Sequence, residues 1–189
     1  MVSQGSNAAP RAPLTVSRPE LLNDGDDREF RALVHNLLAF SARLEAIRQG
    51  FGTSIGLSGI QYTILISIRQ LQGSCGVGVK ALAEHLSLSG AFVTIETGKL
   101  VKLDLVRKWT NPDDRRRVLL AITGKGIDLL DGLAPVQQEI NDVLFESLSA
   151  DGFATLQELA SGLVEGSERA LALSDYLTGA AVNAGGIGK

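Results

Sequence analysis

Between Lys80 and Thr123 the chain reads KALAEHLSLSGAFVTIETGKLVKLDLVRKWTNPDDRRRVLLAIT, and few folds accommodate that order of patterns. Val79 to Leu86 is a short helical stretch whose inner face is Val79, Leu82, Ala83 and Leu86. Ser87-Leu88-Ser89 makes a tight corner, with Ser89 placed to N-cap the next helix. That helix is predicted from about Gly90 to Leu103, with Val93, Leu100 and Leu103 inward and Ala91, Thr94, Ile95, Gly98, Lys99 and Lys102 outward. Two strands follow, Leu105 to Thr110 and Arg117 to Ile122, around the polar turn Asn111-Pro-Asp-Asp-Arg-Arg116. Val118, Leu120 and Ile122 alternate as in a half-buried strand.

Two helices, a corner and a hairpin place one helix in a DNA major groove and the hairpin tip near the minor groove. The outward residues suit that task, because Ala91, Thr94 and Gly98 permit close approach. Ser89 and Thr94 can hydrogen-bond bases or phosphates, and Ile95 can meet thymine methyl groups. Lys99 and Lys102 reach for phosphates; Ser87 and Lys108 complete the expected contact set. The competing account of the lysines is a solvated helix end, where the helix dipole attracts cations. At the hairpin, Arg115 is the tip candidate for a minor groove. Arg116 is the expected brace, pairing with Asp114 or Asp113, and Arg117 is readable as a plain exposed turn charge.

Charge distribution agrees with this. The formal net charge of the 189 residues is −3, but Lys99 to Arg117 carries seven cations against three anions, while Gly126 to Thr178 carries ten acids and one cation. A bland surface would intersperse the signs. Other classes find no support. There is no phosphate-binding glycine loop, no nucleophile elbow and no paired carboxylate set, so no enzyme and no cofactor are expected. His35, His85 and Cys75 lack metal-ligand spacing. Cys75, the single cysteine, is either a thiol switch or an inert small residue; no basic neighbour in the sequence activates it. No apolar run reaches the roughly 20 residues of a membrane span, and the N-terminus lacks a signal peptide's apolar region, so a cytoplasmic protein is expected.

The rest of the chain reads as helices around this lobe. Residues 1–25 are expected to be a flexible arm and 179–189 a flexible tail. Asp26 to Gly50 shows helical spacing of Phe30, Leu33, Val34, Leu37, Phe40, Leu44 and Ile47, with Gly50 as the expected stop. Ser58-Gly-Ile-Gln61 is a capping-box pattern that opens a second helix ending at Gly73, before a connector with room for one short strand. Thr123 caps a long helix in which Pro135 should force a bend or break. Ser149 opens the last helix, with Phe153, Leu156, Leu159, Leu163, Leu171 and Leu177.

These residues resemble the MarR family of bacterial winged-helix transcription regulators. The wing's Asp114-Arg115-Arg116, followed by Ile122-Thr123 and Gly126, matches the family's Asp-x-Arg, Leu-Thr and Gly, with Ile for Leu. Leu82-Ala83-Glu84 matches its Leu-Ala-Glu, and Ser89, Val93, Thr94, Lys99, Leu100 and Leu105-Val106 fall where its recognition helix and first wing strand are expected. Departures are Ile95 where a cation is common, the unusual Glu96 and Thr97, and Asp104 in place of a glycine; Asp tolerates a positive φ better than most residues. The resemblance implies a mainly α (α+β) fold over 26–178: a winged helix-turn-helix core at about 57–123, with dimerisation helices at about 26–50 and 124–178. It implies a homodimeric repressor on a pseudopalindromic operator, with half-sites about one turn (~34 Å) apart. It further implies release by a small aromatic acid, for which Phe40, Arg43, Leu44, Tyr62 and Ile66 are the candidate cleft. Alternatives are a winged-helix protein-interaction module without DNA contact, and an oxidant sensor using Cys75.

Overall fold

The computed structural model describes residues 12–112 and 114–184. The elements run α1 (Arg28–Ser54), α2 (Gly59–Leu71), β1 (Val77–Gly78), α3 (Val79–His85), α4 (Gly90–Lys102), β2 (Val106–Thr110), β3 (Val118–Ile122), α5 (Gly124–Leu144) and α6 (Ala150–Ala184). The chain divides into two compact units, one ending at Pro135 and the other starting at Val136.

In the first unit the core gathers around α2. Ile64, Leu65 and Ile68 from α2 are fully buried with Leu82 from α3, Val93 and Leu100 from α4, Val106 from β2 and Leu120 from β3. The capping box forms as its sequence predicts: Ser58 accepts from the Gln61 amide while the Gln61 side chain accepts from the Ser58 amide. Caps of this kind stabilise a helix by about 1 kcal/mol.

Three antiparallel strands pack in the order β1-β3-β2. Because β3 is central, Ala121 is buried as well as Leu120 and Ile122, and the simple alternation expected of a half-buried strand is lost. Val106 pairs with Ile122 and Thr110 with Val118, which sets the hairpin register. Trp109 lies against the connector before β1; a Cβ on Gly76, at φ +89°, would sit 2.6 Å from its ring.

Several boundaries differ from the sequence expectation. Helix α1 runs through Gly50 to Ser54. Phe51, buried on Tyr62, holds that last turn, and Gly52 approaches the Ser58 carbonyl so closely that a Cβ would stand 2.8 Å from it. The chain turns instead at Gly56, φ +75°. Residues 12–25 are not a free arm. Pro19–Leu21 forms a 3-10 turn, and Thr15 donates its amide and its hydroxyl to the buried Asp27 carboxylate, 2.7 Å each. Residues 1–11 lie outside the described part, as do 185–189; the last helix continues past Leu177 to Ala184.

Thr123 caps α5 as expected, accepting from the Gly126 amide at 3.0 Å. Pro135 lies within one continuous helix, although the boundary between the two units falls beside it. In the second unit Ser149 caps α6 through the Gly152 amide. Val143 and, along α6, Phe153, Leu156, Leu159, Leu163, Leu171 and Leu177 are all exposed.

Candidate nucleic-acid interface

The corner between α3 and α4 is built by local chemistry. Ser87 adopts φ +52°, and the Leu88 amide returns to the Ala83 carbonyl. Ser89 then caps α4 by accepting from the Phe92 amide at 3.2 Å. Val93 and Leu100 anchor α4 to α2 as the spacing predicts, whereas Leu103, expected inside, is 45% exposed at the helix end. Glu96 and Thr97 take the inward stripe with them. Positions 93, 96, 97 and 100 share one face of a helix, so that burial was legible from spacing.

The buried Glu96 is satisfied on both oxygens. Gln61 donates to one at 3.1 Å and Lys99 to the other at 2.7 Å. The Lys99 hydrogen bond, opposed by burial and aided by Gln61, holds the Glu96 carboxyl below its ordinary range. Gln61 thus serves two elements, capping α2 and fastening α4. The outward residues of α4 are Ala91, Phe92, Thr94, Ile95, Lys99 and Lys102, with Gly98 half-buried. Thr94 donates its hydroxyl to the Gly90 carbonyl at 2.7 Å, so toward a partner it can only accept.

The wing is braced by Asp114. Its carboxylate takes the Arg116 amide at 3.1 Å and pairs with the Arg117 guanidinium at 3.1 Å. Among the described residues it is Arg117 that braces Asp114, by i,i+3 geometry in the turn, and the Asn111 amide closes on the Arg117 carbonyl; the other expected partner of Arg116, Asp113, lies outside the described residues. Arg115 stands exposed in the turn. Arg107 lies 4.9 Å over the Trp109 ring, which stiffens the outer strand.

The wing's base is fastened to α5. Asp104 takes φ +59°, the conformation expected where a glycine was replaced. Its carbonyl accepts the Thr123 hydroxyl at 2.7 Å, and Lys125 donates to the Leu103 carbonyl. A Cβ on Gly126 would meet the Leu105 carbonyl at 2.5 Å, so only glycine fits there.

Between the corner and the wing opens a cavity of about 980 Å³. Of the expected contact residues, Ser87, Thr94, Lys108 and Arg116 line it together, joined by Lys80 and Arg117. Ile95, Lys99, Lys102 and Arg115 lie on the exposed surface of the same lobe rather than in the hollow. The residues named for a ligand cleft differ in exposure. Tyr62 is buried edge-on to Phe51, and burial pushes its phenol upward. Arg43 is exposed and donates to the Ala39 carbonyl. Phe40 is 38% exposed, and Leu44 and Ile66 are half-buried. Cys75 is exposed in the connector, 3.5 Å from the Ser74 hydroxyl. Among the described residues no His, Cys, Asp and Glu cluster could hold a metal, and no single helix is long and apolar enough to cross a membrane.

A capped helix after a tight corner, flanked by a three-stranded wing, defines a winged helix-turn-helix protein, and the fold is of the MarR type. The chain is similar to an uncharacterised HTH-type transcriptional regulator of Bacillus subtilis, YhbI, at 29% identity over 125 residues, covering 66% of this chain and 77% of that one. It is 27% identical over 138 residues to the HTH-type transcriptional repressor NicR of Pseudomonas putida, covering 72% and 84%. Among solved structures, a mutant MarR from E. coli complexed with operator DNA superposes with a TM-score of 0.58 at 24% identity, covering 71% of this chain and 95% of that one. No protein-family model matches the chain.

Proposed function

We propose that this chain is a homodimeric, sequence-specific DNA-binding transcriptional regulator acting as a repressor. One observation carries the reading: the exposed face of α4 and the cationic wing lie on one lobe, around a hollow that gathers Lys80, Lys108, Arg116 and Arg117. The relatives named as transcriptional regulators, one of them a repressor, support it. In this reading Ser87, Ser89, Thr94 and Ile95 face the major groove, Lys99, Lys102, Lys108 and Arg116 the phosphates, and Arg115 the minor groove.

The homodimer rests on α6. Leu156, Leu159, Leu163, Leu173 and Leu177 fall in one heptad frame, with Gly166 and Ala170 at the two seam positions between Leu163 and Leu173, and every one of these leucines is exposed. Leu33, Leu37 and Leu38 of α1 are exposed as well. Two-fold pairing would cover such a surface and would set two recognition helices on a pseudopalindromic site. A small aromatic acid as effector belongs to the same reading and rests on the family resemblance; calorimetry with a panel of such acids, followed by repeat DNA titrations, tests it.

The deciding experiment is a gel shift of the full chain on a duplex from its own promoter region, over a salt series. Specific retardation with a steep inverse salt dependence is expected. Absence of retardation at low salt would overturn the reading.

A further inference from the structure

The reading face of α4 has little left with which to hydrogen-bond a base. Lys99 is engaged by Glu96, and Glu96 itself is turned inward and held from behind by Gln61. The Thr94 hydroxyl proton is committed to the Gly90 carbonyl. Ser89 accepts the Phe92 amide as the cap and keeps only its hydroxyl proton to donate, at the start of the helix rather than its middle. What the middle of the helix offers outward is apolar: Phe92 at 39% and Ile95 at 59% exposure, beside Ala91.

We propose that α4 reads its site through thymine methyl groups, with Ile95 as the specificity-determining residue and Glu96 and Gln61 as positioning residues. The inference rests on the DNA-binding reading above and deepens it. In the major groove the C5 methyl of thymine is the only apolar group a base pair presents, so an apolar side chain distinguishes A·T from G·C there. The occupant is duplex DNA rather than an apolar protein partner because cations share the lobe with the patch: Lys102 on the same helix, and Lys108 and Arg116 in the hollow that Thr94 also lines. The Glu96 pair removes a competing signal. A free Lys99 could seek guanine O6 and N7; tethered to Glu96 at 2.7 Å, it keeps its remaining N–H donors for a phosphate and leaves Ile95 as the projecting base contact.

The test begins with duplexes enriched from a random pool by the full chain. They are resynthesised with deoxyuridine replacing thymine, one position at a time, and titrated by fluorescence anisotropy. At one or two positions in each half-site the loss should be about fourfold, the equivalent of ~0.8 kcal/mol for one buried methyl. Ile95→Ala should bind the thymine duplex several-fold more weakly and stop distinguishing uracil from thymine there. Lys102→Ala should weaken both duplexes alike, which shows that discrimination belongs to Ile95 rather than to binding strength. Equal affinity of the parent for thymine and uracil at every position would overturn the inference and leave DNA binding standing. If no duplex is enriched, the patch faces a protein partner, and both readings fall.

Discussion

The lobe before Pro135 and helix α6 dispose of their apolar side chains in opposite ways. In the lobe, eight large side chains from five elements are essentially inaccessible to water, and the one buried carboxylate on α4 has two partners. Along α6 no described side chain is buried, although Leu and Val recur for most of its 35 residues. Around α2 the lobe buries its apolar side chains internally, although α1 leaves Leu33, Leu37 and Leu38 exposed. Helix α6 does not, and a solvated apolar stripe of that length is what the proposed homodimer would cover. The contrast teaches that the two surfaces invoked in the proposed function are encoded separately, one on a packed core and one on a single amphipathic helix.

The largest effect should come from the lobe's centre. Leu65→Ala removes a fully buried side chain and should cost about 2–5 kcal/mol in chemical denaturation; a variant as stable as the parent would show that the lobe is not the self-sufficient part. On α6, Leu163→Asp should leave the lobe folded by circular dichroism but raise the dimer dissociation constant at least tenfold in sedimentation, since burying one leucine is worth about 1.5–3 kcal/mol. An unchanged constant would break the contrast from the other side. Arg115→Ala should weaken operator binding by about 1–3 kcal/mol and lower the salt slope by about one unit, without altering stability. Ser89→Ala should cost about 1 kcal/mol of stability through the lost cap. The smallest effect concerns acid. Hydrogen bonds from Arg31 and then Thr15 hold the Asp27 carboxyl far below its ordinary value of 3.8. Its contribution is therefore full above that value and is lost as the pH falls below it. Asp27→Asn should remove this acid sensitivity of the N-terminal segment, measured by limited proteolysis of the first 27 residues. Parent and variant nicked alike across that range would show that the Thr15 contact does not hold the segment.

Local rules were read well from the sequence, and each success has a local cause. The Ser58 box, the Ser89, Thr123 and Ser149 caps and the positive φ at Asp104 depend on residues within a few positions of one another. The hairpin turn at Asn111–Arg117 was equally visible, but the pairing of Arg117 with Asp114 was not, because it turns on which guanidinium the coiled turn returns to that carboxylate. Glu96 lies on the stripe of Val93 and Leu100, so its inward position and its i,i+3 pair with Lys99 are local; only the fold could supply Gln61, 35 residues earlier, as the donor that satisfies its second oxygen.

Sequence by itself determined the winged helix-turn-helix order, the polarity of charge and the ends of most helices, because caps, turns and apolar periodicity act over one or two turns of chain. Tertiary structure decided the rest. It carried α1 past Gly50, since Phe51 finds a pocket on Tyr62. It fastened residues 12–25 through Asp27. It turned Glu96 inward beside an exposed Ile95, because a buried carboxylate needs both oxygens satisfied: Lys99 on the same helix serves one, and only packing against α2 brings Gln61 to the other.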